Sequence, residues 1–187
     1  MITANFDLPV LDWIAANLWC PFLDAVMPVI THWGDGGIFW IALALVLVCF
    51  PRCRQTGISM IFALLLGLLV CNLCLKPLVG RIRPFDYQLL QGKVIPLLIE
   101  APTDFSFPSG HTIASFEAAT VLLLRCKKWG VPAIVLAALI AFSRLYLYVH
   151  YPTDVLTSVV LGIGIACLAT YLTNKGFALY ETHKKHK

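Results

Sequence analysis

One histidine of this sequence stands four residues before an aspartate, at a spacing that suits nucleophilic catalysis. His150 precedes Pro152, a residue favoured in the first turn of a helix, and Asp154 follows. If that turn is helical, the histidine and the aspartate face one another at i, i+4. A carboxylate that accepts a hydrogen bond from one imidazole nitrogen fixes the tautomer and leaves the other nitrogen free to attack. The alternative is that Asp154 only caps the helix.

Several cations in the sequence could hold a phosphate for that attack. Lys76 is followed after six residues by Arg83, with Arg81 between them, and Arg144 precedes His150 by six residues. A guanidinium offers a planar fork of donors to phosphate oxygens, whereas an ammonium offers a compact charge. We therefore predict a phosphate cradle, with anchoring at lipid headgroups as the alternative for the lysine and its neighbouring arginines.

A third group of residues, Pro108-Ser109-Gly110-His111, directly precedes an apolar stretch. Ser109 is a favoured N-cap residue, and Gly110 lets the backbone approach a ligand closely. The free N–H groups at a helix N-terminus favour a bound anion. His111 would lie in the first turn, where it could donate a proton to a leaving oxygen. The alternative is a plain helix cap with a histidine at the membrane interface.

The elements that must position these residues lie in a membrane. Of the 187 residues, 59% are hydrophobic and 13% are charged, whereas soluble domains carry about 25% charged residues. This composition excludes a water-soluble domain. Five apolar stretches are typical of transmembrane helices: residues 37–50, 57–75, 112–124, 131–147 and 155–172. The predicted fold class is an all-α polytopic membrane helical bundle with about five transmembrane helices.

The N-terminal segment, residues 1–35, is less regular than the rest. It is apolar, but Asp12, Pro21, Asp24 and Pro28 interrupt it. A charge near the centre of a span costs at least ~2.5–3.5 kcal/mol. We therefore predict an interfacial helical segment here, with a sixth span as the alternative.

Three groups of basic residues predict the orientation in the membrane. They are Arg52 and Arg54, then Arg125, Lys127 and Lys128, and finally the histidines and lysines of residues 183–187. With five helices after residue 35, all three groups fall on one side, which the positive-inside rule makes cytoplasmic. The turn after Lys76, the loop 85–107 and the turn around His150 then share the outer side. We expect a multi-pass plasma-membrane protein with an outward-facing site and a basic cytoplasmic tail at 176–187.

The sequence gives little reason to expect a metal or a disulfide framework. Most of the seven cysteines lie in apolar runs or beside cationic turns. Cys71 and Cys74 have metal-motif spacing, but no second pair accompanies them, so packing is the preferred interpretation. Asp154 and the loop carboxylates are too few for an obvious two-metal centre. No cofactor and no nucleic-acid partner are expected.

The three groups of residues, in their order, resemble a known family. Lys-six residues-Arg-Pro, then Pro-Ser-Gly-His, then Ser-Arg-five residues-His-three residues-Asp is similar to the type 2 phosphatidic acid phosphatase superfamily. The resemblance covers residues 57–172, and the short length is similar to bacterial members, including undecaprenyl diphosphate phosphatases and phosphatidylglycerophosphate phosphatases. It implies a membrane phosphatase domain at 36–175 that works without a metal.

The resemblance also implies a role for each candidate residue. His150 would attack phosphorus and form a phosphohistidine that water then hydrolyses, Asp154 would orient His150, and His111 would protonate the leaving lipid oxygen. The non-bridging oxygens would be held by Lys76, Arg83, Ser109, the Gly110 backbone N–H and Arg144.

The expected substrate is a lipid phosphate or diphosphate in the bilayer. An outward-facing site suits undecaprenyl diphosphate, whose terminal phosphate is exposed there. Phosphatidic acid, diacylglycerol pyrophosphate and phosphatidylglycerophosphate are the alternatives. A lipid transporter or scramblase is a remote one, since the chain has no inverted repeats and transport does not need the His150–Asp154 pair. A binding protein built on an inactive phosphatase fold ranks lower still, and no feature indicates an oligomeric state.

Overall fold

The computed structural model describes residues 3–185, and every regular element in that range is helical. The α-helices of the described residues are α1 (Leu8–Leu18), α2 (Pro21–His32), α3 (Ile38–Cys49), α4 (Arg54–Leu68), α5 (Lys76–Val79), α6 (Pro84–Leu90), α7 (Gly110–Arg125), α8 (Lys127–Tyr146) and α9 (Pro152–Lys185). Three further turns are helical: π-helices at Thr3–Asp7 and Leu69–Leu75, and a 3-10 helix at Asp35–Gly37. The predicted all-α class is confirmed.

Each stretch predicted to cross the membrane forms a helix, and these helices are α3, α4, α7, α8 and α9. Four helical runs among the described residues are long and apolar enough to span a bilayer: Pro21–Cys49, Arg54–Leu90, Lys127–Tyr146 and Pro152–Lys184. Helix α7 differs because it has only 16 residues, fewer than the ~20 that a span needs. The number of spans, five or six, stays a prediction.

Helix α7 lies at the centre of the bundle, in contact with α3, α4, α8 and α9. Its Ala118, Ala119 and Val121 are fully buried. Small residues let membrane helices approach closely, and at Gly162 of α9 an added Cβ would lie 3.0 Å from the carbonyl oxygen of Ile113. Because other helices enclose α7, its length need not match the thickness of the lipid.

The N-terminal helices α1 and α2 pack against α8 and the turn that follows it. The acidic residues that interrupt this segment accept hydrogen bonds from buried tyrosines. Tyr146 Oη donates to Asp24 Oδ1 at 2.6 Å, and Tyr148 Oη donates to Asp12 Oδ1 at 2.8 Å. These carboxylates are therefore satisfied by protein groups, and the interfacial placement of residues 1–35 stays a prediction.

The two ends of the bundle differ in their polar contacts. At the end with the basic turns, Gln55 Nε2 of α4 donates to Asn174 Oδ1 of α9 at 2.9 Å, and Arg125 donates to the same oxygen. Helix α9 continues as far as Lys185, so most of the segment predicted as a tail at 176–187 is helical. Its last two residues lie outside the described part of the chain. The opposite end carries the candidate site.

Candidate active site

Six of the eight predicted site residues line one cavity of about 720 Å³ at this end of the bundle. They are Lys76, Arg83, Gly110, His111, Arg144 and His150. The other two, Ser109 and Asp154, are fully buried and do not line the cavity. Residues separated by up to 74 positions in the sequence thus share one space, because α5, α7, α8 and α9 all begin or end here.

His150 lies in the turn between α8 and α9 and is only 2% exposed. Its Nε2 lies 3.3 Å from Nη1 of Arg83, whose guanidinium also donates to the carbonyl oxygen of Val149 at 2.7 Å. Burial, followed by the positive charges of Arg83 and Arg144, lowers the pKa of His150 well below its ordinary value of 6.5. The imidazole is therefore neutral at pH 7, which is the form that a nucleophile needs.

The hydrogen bond expected between His150 and Asp154 is not formed. The i, i+4 approach is present, but Nδ1 of His150 lies 3.7 Å from Oδ2 of Asp154 and has no hydrogen-bond partner. Other donors occupy the carboxylate: Ser106 Oγ at 2.5 Å, the backbone N–H of Tyr151 at 3.1 Å, and the Arg81 guanidinium. Asp154 is thus held firmly beside His150 without fixing its tautomer in this state.

Arg81, which belongs to the cationic group of the sequence, lies behind Asp154 and does not line the cavity. It bridges Asp154 to Asp7 of the N-terminal π-helix, whose Oδ2 lies 2.5 Å from Arg81 Nη2. Asp7 also accepts a hydrogen bond from the backbone N–H of Thr153 at 3.0 Å. The N-terminal segment is therefore tied directly to the turn that carries His150.

A loop carboxylate forms ion pairs with two of the cations that were predicted to hold phosphate. Asp104 Oδ1 accepts a hydrogen bond from Arg83 Nη2 at 2.5 Å, and Asp104 Oδ2 accepts one from Lys76 Nζ. Burial raises the pKa of Asp104, but these hydrogen bonds and charges outweigh it and lower the pKa to about 2. An anion of carboxylate size is thus bound where the non-bridging phosphate oxygens were expected.

His111 pairs with a carboxylate that the sequence interpretation did not include. His111 Nε2 donates to Asp35 Oδ1 at 2.8 Å, and His32 Nδ1 donates to Asp35 Oδ2 at 2.7 Å. Asp35 is placed by the 3-10 turn between α2 and α3, where Gly36 and Gly37 have φ of 56° and 66°. Such values favour glycine, so the Asp-Gly-Gly sequence was the local signal for a tight turn.

The remaining predicted ligands of the phosphate differ in how they are held. Arg144 is buried, and its Nη1 donates to Thr31 Oγ1 at 2.6 Å. Ser109 occupies the N-cap of α7, but its side chain does not cap the helix, because its Oγ accepts from Thr112 Oγ1 at 3.0 Å instead. At Gly110 an added Cβ would meet only Asn72, at 3.8 Å, so the backbone there is open to a ligand.

No group of three or more His, Cys, Asp or Glu side chains within residues 3–185 is arranged to bind a metal. The function without a metal stays an expectation. The carboxylates that the sequence interpretation missed are Asp7, Asp35 and Asp104, together with Glu117, which also lines the cavity. Glu117 alone had a signal in the sequence, because it is an acid in the middle of an apolar helix.

Comparison with known proteins gives one family and several lipid phosphatases. Residues 56–178 match the family model described as the PAP2 superfamily. An undecaprenyl-diphosphatase of Sulfolobus acidocaldarius is 31% identical over 157 residues, which cover 82% of this chain and 72% of that protein. The crystal structure of Aquifex aeolicus LpxE has a TM-score of 0.74 and 27% identity, with coverage of 90% of this chain and 98% of that one. The crystal structure of a PAP2 type phosphatidylglycerolphosphate phosphatase from Bacillus subtilis has a TM-score of 0.72 and 26% identity, with coverage of 93% and 89%.

Proposed function

We propose, from the premise that this chain belongs to the PAP2 superfamily of phosphatases, that it hydrolyses undecaprenyl diphosphate to undecaprenyl phosphate. The single observation that carries a phosphatase mechanism is the position of His150. Its Nε2 faces a cavity lined also by Lys76, Arg83 and Arg144. A neutral imidazole among three cations suits attack on an anionic phosphorus centre, where neutralising charge and positioning dominate the barrier.

In the proposed first step, Nε2 of His150 attacks the terminal phosphorus, and the bond from phosphorus to the bridging oxygen of the lipid breaks. His111 donates a proton to that oxygen, so undecaprenyl phosphate leaves and a phosphohistidine remains. Burial, followed by the positive charge of Arg144, lowers the pKa of His111 to about 4, and Asp35, at 2.8 Å, opposes that shift. In the proposal, the negative charge of the bound diphosphate raises the pKa of His111 further, so that the ring is protonated when the lipid oxygen leaves. A small rotation of His150 would bring Nδ1 into hydrogen-bond range of Asp154, at about 2.8 Å, as the ring becomes positive.

In the second step His111, now neutral, takes a proton from a water molecule that attacks the phosphohistidine. The nitrogen–phosphorus bond breaks, inorganic phosphate leaves, and His150 returns to its neutral form. Lys76, Arg83, Arg144 and the backbone N–H of Gly110 would hold the three non-bridging oxygens in both steps. Before either step, the substrate phosphate must replace Asp104 on Lys76 and Arg83.

The choice of undecaprenyl diphosphate rests on the relative that carries this name and on the expected outward-facing site. Phosphatidylglycerophosphate is the second candidate, because a structural neighbour of similar coverage is named for that activity. Phosphatidic acid and diacylglycerol pyrophosphate would meet the same phosphate-binding residues. Location in a bacterial plasma membrane, with the site on the extracytoplasmic side, is part of the proposal.

The test is phosphate release by the purified protein in detergent, with undecaprenyl diphosphate, phosphatidylglycerophosphate and phosphatidic acid as substrates. We expect a kcat/KM at least tenfold higher for undecaprenyl diphosphate, which corresponds to about 1.4 kcal/mol in transition-state binding. His150→Ala should reduce release to background. His111→Ala should lower kcat by about 10²–10⁴-fold, as the loss of a general acid does.

The matched control is His183→Ala, which removes an exposed histidine near the far end of α9 and should leave kcat unchanged. Turnover retained by a folded His150→Ala protein would contradict the mechanism. A preference for another lipid phosphate would contradict the substrate and leave the phosphatase chemistry intact.

A further inference from the structure

Glu117 is a buried acid that the proposed mechanism does not use. It lies in the middle of α7 and is 1% exposed. Neither of its carboxyl oxygens has a hydrogen-bond partner within the described residues. An unpaired carboxylate in such surroundings is very costly, so we expect the neutral acid, which has one O–H donor. A donor without an acceptor at this depth calls for an explanation.

The facing helix leaves room for this side chain. A Cβ added to Gly67 of α4 would collide with both carboxyl oxygens and with the carboxyl carbon of Glu117. Any larger residue at position 67 would therefore displace the carboxyl group. Glycine in the middle of a helix is less favourable than alanine, so its presence here fits a requirement for space.

Glu117 lines the cavity that contains His150, and its carboxyl group lies against Gly67, nine residues before Lys76 in the same helical run. Glu117 and Gly67 line it together with apolar side chains such as Ile61, Leu64 and Leu68. The cavity therefore changes from a cationic end to an apolar part, and Glu117 supplies a polar group within that apolar part. This arrangement fits a lipid whose phosphate lies at His150 and whose chain extends along α4.

The spacing along α7 identifies the part of a substrate that would meet Glu117. His111 and Glu117 are six residues apart, which is about 9 Å along a helix. Helical side chains lean toward the N-terminus, so the carboxyl group lies closer to His111 than its own Cα does. With the reacting phosphate between His111 and His150, the neighbouring atoms belong to the leaving group.

We infer that Glu117 is a specificity-determining residue that donates a hydrogen bond to an oxygen acceptor in the leaving group of the lipid. This inference rests on the proposed function, because it uses the same cavity and reaction. Two lipid classes carry such an acceptor close to the reacting phosphate. In a prenyl diphosphate it is the second phosphate, the one bonded to the prenyl chain, and in a glycerophospholipid it is an ester carbonyl. Inorganic phosphate, which has no leaving group, has neither.

The test measures kcat/KM for farnesyl diphosphate and for phosphatidic acid, together with the inhibition constant of inorganic phosphate. Glu117→Leu should lower kcat/KM about tenfold for the lipid class whose acceptor it binds, in line with one lost hydrogen bond. It should change the inhibition constant of inorganic phosphate by less than about threefold, below the effect of one hydrogen bond. Glu117→Gln, whose amide still donates, should retain most of the activity.

Two further variants separate this role from a purely structural one. Thr120→Val removes another buried hydroxyl without a partner from α7, at a position that does not line the cavity, and should leave all three values unchanged. Gly67→Ala displaces the carboxyl group without removing it, and should reproduce the selective loss even if Glu117→Leu does not fold.

The outcomes are distinct. A lower kcat/KM of Glu117→Leu with farnesyl diphosphate alone identifies the second phosphate as the acceptor. A lower kcat/KM with phosphatidic acid alone identifies the ester carbonyl. Equal weakening with both lipids and with inorganic phosphate, or no change with any of them, overturns the inference while the wild-type protein still releases phosphate. Absence of phosphate release by the wild-type protein from every lipid would instead overturn the proposed function.

Discussion

At the scale of single residues, two cations of the cavity, Lys76 and Arg83, already form ion pairs with a carboxylate of the protein itself. Asp104 binds Lys76 and Arg83 together, and its pKa of about 2 keeps it charged at any pH near neutrality. Its side chain is half exposed, so the two ion pairs contribute only modestly to stability. We therefore expect Asp104 to be a weak competitor that a phosphate group, with more charge and more oxygens, replaces.

Asp104→Asn tests this competition. The substitution removes the negative charge, so inorganic phosphate should bind Lys76 and Arg83 more tightly. The inhibition constant of inorganic phosphate should fall about two- to fivefold, which corresponds to ~0.5–1 kcal/mol for a partly exposed ion pair. Asp86→Asn is the control, since Asp86 of α6 makes no ion pair with either cation. An unchanged or higher inhibition constant would show that Asp104 does not compete with phosphate.

The cations and histidines of the site could be predicted from sequence more fully than their carboxylate partners. Lys76, Arg83, His111 and His150 were predicted to meet, and the structure brings them to one cavity, because each stands at the end of an apolar stretch that could be recognised locally. Asp154 was predicted beside His150, but the carboxylates that pair with Lys76, Arg83 and His111 were missed. Asp104 pairs with Lys76 across 28 positions and Asp35 with His111 across 76, and no periodic pattern marks such a contact. Tertiary packing alone decides which acid meets which base.

At the scale of elements, the N-terminal π-helix and the turn between α8 and α9 act as one unit. Asp7 is fully buried and reaches Asp154 through Arg81, and Thr153 donates two hydrogen bonds to it, at 3.0 and 2.8 Å. The guanidinium of Arg81 also lies 3.8 Å from the ring centroid of Tyr151. A segment that was predicted only to lie at the membrane interface therefore helps to position the turn that carries His150, the proposed nucleophile.

Asp7→Ala should weaken this unit. It removes charged hydrogen bonds from a buried site, at a cost of ~2–3 kcal/mol. We expect a lower melting temperature in detergent. We also expect kcat to fall by a larger factor than KM changes, because Asp154 loses its link through Arg81 to Asp7, whereas the cations proposed to bind phosphate keep their contacts. The control is Glu181→Gln, which alters an exposed acid near the far end of α9. A loss of stability with full kcat would limit Asp7 to a structural role.

The membrane helices could be predicted from sequence, whereas their ends and their positions in the bundle could not. All five apolar stretches became helices, since length and hydropathy are local properties. Their ends were less predictable. Helix α9 continues to Lys185, and no proline follows residue 172 to end it. Helix α7 could be recognised as apolar, but its central, enclosed position follows from contacts with four other helices.

At the scale of the whole molecule, charge is distributed unevenly between the two ends of the bundle. The basic turns at Arg52–Arg54 and at Arg125–Lys128 lie at one end, where Arg125 contacts α4 and α9 through Ser59 and Asn174. The cavity with His150 opens at the other end, where Lys76 and Arg83 are paired with Asp104 of the loop and His111 contacts Asp35 of the 3-10 turn. Net positive charge is thus concentrated on the side away from the site, as the positive-inside rule requires of a cytoplasmic face.

The orientation can be tested with an epitope tag placed at either end of this axis. A tag inserted after Gly92, in an exposed turn of the loop that carries Asp104, should bind an impermeant antibody on intact spheroplasts. A tag after Lys187 should bind the antibody only after the membrane is permeabilised, because the basic end would face the cytoplasm. A tag between Arg52 and Arg54 is the matched control for the C-terminal tag, since both should behave alike. The reverse pattern would place the cavity on the cytoplasmic side, where the terminal phosphate of a newly released polyprenyl diphosphate would be out of reach.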